Sequence, residues 1–143
     1  MVLMTSILKN DVSTSDAPRG EAMEHSHEVR SELREPAIAL RALIPDVMRG
    51  YGQLSRAAME PGELSAGTKE LLALVIAITR ECDGCIVSHT RAAVRAGVTR
   101  QALAEAIGVS IAMNGGPGTV WGPRALRCYD EAAADIVNDE PRT

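Results

Sequence analysis

The sequence predicts an all-α fold, and three observations carry that reading. Hydrophobic residues make up 45% of the 143-residue chain, yet it has no Phe, one Trp and two Tyr. Its core must therefore be packed from Ala, Leu, Ile and Val, which suits closely approached helices better than a sheet. Apolar residues recur at helical spacing between strong caps and stops, and no alternating strand pattern competes. The length fits one domain, large enough to bury a modest core.

Residues 1–27 read as a polar, patternless arm. His25 and His27, at i and i+2 in this arm, have a spacing that can ligate a metal, but they read as solvated tail residues. The helical domain spans 28–138, and 139–143 is a tail. Helical signals begin near Glu28. Pro36 fits the first turn of a helix, with Ile38, Leu40 and Leu43 following. Pro45 bends or restarts it, and Val47, Met48, Tyr51 and Leu54 continue the spacing. Pro61-Gly62 is a break.

Ser65 or Thr68 can cap the next helix, about 66–80. Its stretch Leu71 to Ile78 is apolar on every side, and a helix apolar all round must be buried all round. In so short a chain that calls for neighbours from other subunits. A further helix spans about 83–96 and stops at Gly97. Thr99 caps the next, to about Met113, with Leu103, Ala106, Ile107 and Ile111 inward. Asn114 to Gly118 ends it. A last helix carries Leu126, Ala132, Ala133, Ile136 and Val137, with Pro123 in its first turn or kinking it.

The formal net charge is −4, and Lys9 and Lys69 are the only lysines. Phosphate binding needs clustered Lys and Arg, so nucleic acid is not an expected partner. The longest apolar run has eight residues, against the roughly 20 that span a bilayer. No secretory signal pattern is read at the start. The expected location is cytoplasmic, with no membrane partner.

Three cysteines, an odd number, do not make a secreted disulfide scaffold. The chemistry concentrates in Glu81-Cys82-Asp83-Gly84-Cys85-Ile86-Val87-Ser88-His89. Cys82, Cys85 and His89 fall at i, i+3 and i+7, on one helical face. Cys82 and Cys85 have the spacing that opens and closes a small disulfide loop. A thiolate is the nucleophile, and here a helix N-terminus and an imidazole can both favour it. His89 is about 6 Å along the axis from Cys85 and about 10 Å from Cys82, at 1.5 Å per residue. Cys85 is therefore assigned as the attacking thiolate and Cys82 as the resolving thiol. Peroxide would oxidise such a thiolate to a sulfenic acid, which a neighbouring thiol condenses to a disulfide. No metal, haem or flavin is required. Two Cys, one His and a carboxylate would also suit zinc, but the core offers no second Cys-x-x-Cys or His-x-His. An inert buried pair is the remaining bland reading. Cys128 reads as a small buried hydrophobe, and Trp121 and Tyr129 as core or interface.

Thr68-Lys69-Glu70-Leu71-Leu72-Ala73-Leu74, Cys82-x-x-Cys85-x-x-x-His89, Ala93-x-x-Ala96-Gly97-Val98 and Glu105-Ala106 together resemble the AhpD-like alkylhydroperoxidase branch of the carboxymuconolactone decarboxylase family. The resemblance covers roughly 36–135. It implies an AhpD-like helical bundle and a peroxide-reducing dithiol, with a proton relay through Glu70 and His89 to Cys85. Cys82 would be the outer thiol, exchanging with a lipoylated or thioredoxin-like dithiol protein. It also implies a homo-oligomer, a trimer or a hexamer of paired trimers, with the hexamer expected here. Glu70 on its own is an ordinary acidic residue in a first helical turn. It lies about 18 Å of straight helix before Cys82. An antiparallel return would bring His89 back about 10 Å, leaving a gap for a water. One departure stands out: the family's founding members carry a second His just before the second Cys, where this chain has Gly84.

Two rivals stand beside this reading, another enzyme of the same family and a protein of a different class. A lactone-type decarboxylase or isomerase would use His89 and Glu70 for proton transfer and leave the cysteines incidental. A redox sensor or disulfide-exchange scaffold would cycle Cys82–Cys85 without turning over peroxide.

Overall fold

The computed structural model describes residues 25–139. Among them are six α-helices and no strand: α1 His25–Leu43, α2 Pro45–Met59, α3 Ala66–Thr79, α4 Asp83–Arg95, α5 Arg100–Asn114 and α6 Gly116–Asp139. The described residues adopt the predicted all-α class.

Local chemistry explains most boundaries. Ser65 Oγ accepts the Thr68 N–H at 3.1 Å and caps α3, and Thr99 Oγ1 does the same for α5 through the Ala102 N–H. Pro45 occupies the first turn of α2, where its missing N–H costs nothing. Gly97 and Gly115 take left-handed φ values of 73° and 64° at the ends of α4 and α5.

Two boundaries differ from the sequence reading. First, α1 is already helical at His25, ahead of Glu28, and runs through Pro36 instead of starting there. Pro36 removes one helical hydrogen bond. The loss is tolerable because residues 30–47 are exposed, leaving the freed Glu32 carbonyl open to water. Second, α6 starts at Gly116, so Pro123 lies inside it and the glycine run 115–118 is a tight corner. That corner lets α6 press against α5. A Cβ on Gly118 would stand 2.9 Å from Ile111 Cα, and one on Gly122 2.6 Å from Ile107 Cγ2.

The core lies between α3, α4, α5 and α6, around Leu74, Ile78, Ile86, Leu103, Ala125 and Cys128. Tyr129 closes one side, its hydroxyl donating to the Val98 carbonyl at 2.7 Å. The face of α3 carrying Leu74, Ala77 and Ile78 is buried, while Leu72 and Ile76 on its other side are 52% and 60% exposed in the single chain. Within one chain α3 is thus not buried all round. Helix α2 has no buried residue and touches only α1 and α3. None of the described helices is long and apolar enough to cross a membrane.

Candidate active site

Helices α3 and α4 are joined by a reversal of unusual composition. The Cys82 N–H donates to the Ala77 carbonyl and the Glu81 N–H to the Ile78 carbonyl. This is the Schellman pattern, with Glu81 at the left-handed position, φ 54°. The end of α4 uses the same pair of bonds, Val98 to Ala93 and Gly97 to Val94, with glycine at that position. A non-glycine residue there carries backbone strain, and here it directly precedes Cys82.

The reversal sends α4 back along α3. Cys82 becomes the N-cap of α4 without a side-chain cap bond, so Cys82 and Cys85 sit over the positive end of the helix. The two are joined in a disulfide, with Cα atoms 5.2 Å apart. One turn beyond Cys85, the His89 Nδ1–H donates to Glu70 Oε2 at 2.8 Å. The carboxylate is 14% exposed and the imidazole 30%. No bridging water is needed: antiparallel packing and two long side chains close the gap that helical rise alone leaves. With Nδ1 donating to the carboxylate, Nε2 of a neutral imidazole carries the lone pair that can accept a proton. The disulfide thus sits at the turn between α3 and α4, and the Glu70–His89 pair bridges the two helices farther along, with His89 one helical turn beyond Cys85. Among the described residues, no three His, Cys, Asp or Glu side chains gather to hold a metal ion.

The surroundings hold residues that sequence reasoning placed elsewhere. His25 is not a solvated tail residue: its ring Nε2 pairs with Asp83 Oδ1 at 3.0 Å, inside the Cys-x-x-Cys loop. His27 pairs with Asp135 at 3.1 Å, and Arg91 donates to the same carboxylate at 2.8 Å. The Ser26 N–H donates to Glu131, a carboxylate buried to 2% exposure that also accepts from Arg127. Leu33 of α1 lies over Gly84, where a Cβ would come within 3.1 Å of its Cδ1. No local signal marks the contacts of α1, since each joins residues far apart in the chain. Burial alone would push the Asp135 carboxyl up, but the Arg91 hydrogen bond and the His27 charge outweigh it and hold it below the usual range. Cys128 is free and buried, and burial pushes its thiol up to about 12.

Residues 45–127 match the model of the carboxymuconolactone decarboxylase family. An uncharacterised protein of Cupriavidus necator is 36% identical over 100 residues, spanning 70% of this chain and 88% of its own length. One of Haemophilus influenzae is 36% identical over 106 residues, spanning 74% and 90%. The crystal structure of an apo carboxymuconolactone decarboxylase family protein from Legionella pneumophila is similar at a TM-score of 0.74 and 30% identity, covering 77% of this chain and 98% of that one. A family match over more than half the chain, a relative sharing most of its length and a common fold agree: the chain belongs to the carboxymuconolactone decarboxylase family.

Proposed function

We propose that the protein is a dithiol peroxidase of the AhpD-like branch, reducing alkyl and hydrogen peroxides through Cys85 and Cys82. The observation that supports this best is the 2.8 Å Glu70–His89 bond on the helix that carries the disulfide. Glu70 orients His89 and leaves Nε2 to take the Cys85 thiol proton. The thiolate attacks the terminal peroxide oxygen and the O–O bond breaks. The alcohol leaves with the proton held by His89, and Cys85 becomes a sulfenic acid. The Cys82 sulfur then attacks Cys85, water departs, and the disulfide forms. An external dithiol, on a lipoylated or thioredoxin-like protein, supplies two electrons and two protons to reopen it.

The direct test is alkyl-hydroperoxide consumption with excess dithiol. Turnover in the natural protein that vanishes in Cys85→Ser is the expected result. Equal background loss in both would refute peroxidase chemistry. One observation favours a second reading, disulfide exchange without peroxide turnover. Residue 84 is glycine with Leu33 packed beside it, so no imidazole stands just before Cys85. Reversible oxidation with negligible peroxide consumption would mark it. A lactone-type decarboxylase would instead keep its activity in a double Cys→Ser variant.

The same proposal includes a homo-oligomer, a hexamer or trimer. Val47, Tyr51 and Leu54 on α2, and Leu72 and Ile76 on α3, are exposed in one chain. So much apolar surface suits a second copy of the chain. A monomer by light scattering would overturn this part.

A further inference from the structure

Helix α1 lies outside residues 45–127, the stretch that matches the family model, yet it reaches into the Cys-x-x-Cys loop. We propose that His25 is a positioning residue of the redox pair: it holds and offsets the charge of Asp83, the carboxylate between the two cysteines, and so favours the Cys82 and Cys85 thiolates.

Three observations carry this. The Asp83 carboxylate is covalently one residue from Cys82 and two from Cys85, and a like charge at that range disfavours a thiolate. Its field also reaches Cys128, whose thiol it helps to raise. His25 Nε2 meets Asp83 Oδ1 at 3.0 Å with both side chains half-buried, at 26% and 31% exposure. The docking of α1 is built, not incidental: the Ser26 N–H is held by the buried Glu131 and Leu33 seals the space beside Gly84. The other charged groups on the elements around the pair are Arg80 and Glu81 just before Cys82, His89 of α4 with Glu70 of α3, Glu28 on α1, Glu131 with Arg127 on α6, and Asp135 with His27, Arg30 and Arg91. These acids already have partners or face solvent, so Asp83 is the carboxylate His25 answers.

The inference rests on the proposed function only in requiring that the pair cycle between disulfide and dithiol. Reduction breaks the Cys82–Cys85 bond and adds two electrons and two protons, taken from an external dithiol that itself becomes a disulfide.

The test uses the full chain, reduced with dithiothreitol and freed of it. Ultraviolet thiolate absorbance is followed across the range, about pH 5 to 8, in which imidazoles change charge. Cys128 is silent there because its thiol lies at about 12. His25→Ala is expected to lower the thiolate-to-thiol ratio about two- to five-fold, the scale a partly exposed ion pair supports. In an Asp83→Asn background the same substitution should change nothing. Arg34→Ala, which removes a positive charge from an exposed position of the same helix, should also leave the ratio unchanged. No effect of His25→Ala, an equal effect with Asp83→Asn, or an equal effect of Arg34→Ala would each overturn the inference. A disulfide that dithiol cannot reduce in any variant would overturn the proposed function and this inference together. A pair that cycles but ignores His25 would overturn this inference alone.

Discussion

His89 and Glu70 are nineteen residues apart in the chain and share a 2.8 Å hydrogen bond across the α3–α4 pair. The bond fixes the imidazole so that Nε2 stays free on the helix that carries both cysteines. Its charge-assisted character makes it stronger than a neutral contact.

If this pair moves the Cys85 proton, His89→Gln should lower peroxide turnover by about 10²-fold or more, the usual weight of a general base. Glu70→Gln keeps a partner for Nδ1 and loses only the charge, so a smaller fall, about tenfold, is expected. Steady-state peroxide assays with thermal melts in parallel check this. Equal, wild-type turnover in both variants would remove the relay from the mechanism.

Glu81 occupies a left-handed position that glycine fills at the corresponding end of α4. The left-handed conformation costs roughly 1–2 kcal/mol for a side-chain-bearing residue, while glycine costs about 0.5–1 kcal/mol in unfolded-chain entropy. Glu81→Gly should therefore raise stability by about 0.5–1 kcal/mol in urea denaturation. A loss of stability would show that the Glu81 side chain outweighs its backbone.

The corner between α5 and α6 depends on missing side chains. A Cβ on Gly118 would meet Ile111 backbone atoms at 2.9 and 3.2 Å, and backbone cannot swing aside. Gly118→Ala should destabilise by about 1–3 kcal/mol, as overpacking does. At Gly108, where a Cβ meets nothing within 4 Å, alanine should be tolerated and favoured by helix propensity. The pair of melts separates close packing from a general intolerance of α5–α6.

Asp135 ties α1 to α4 and α6 through His27 and Arg91, and its carboxyl lies below the usual range in the folded protein. A depressed carboxyl stabilises the fold above its unfolded value, about pH 4, and that stability is lost as pH falls through the lower folded value. Acidification from pH about 5 to about 2 should release α1, seen as faster amide hydrogen exchange over 25–43. Asp135→Asn should exchange faster already at neutral pH and show less further change with acid. Identical pH profiles would mean that α1 is held by its other contacts.

What the sequence by itself determined is local. A cap for α3 at Ser65 or Thr68, Thr99 as the cap of α5, Gly97 as a stop, the break at Pro61-Gly62 and the spacing of Cys85 and His89 one turn apart on α4 all follow from backbone rules that act over a few residues. Tertiary structure decided the rest. The direct Glu70–His89 bond depends on the angle at which α4 returns along α3, set by a reversal whose left-handed residue is Glu81, where local preference asks for glycine. The docking of α1 near His25 depends on Glu131, 105 residues away from Ser26, and a polar segment carries no apolar period to announce such docking. Pro36 inside α1 is tolerated because that stretch faces solvent, and α6 begins early because its glycines fit against Ile107 and Ile111. In each case a contact between distant residues outweighs the neighbour preferences that are readable along the chain.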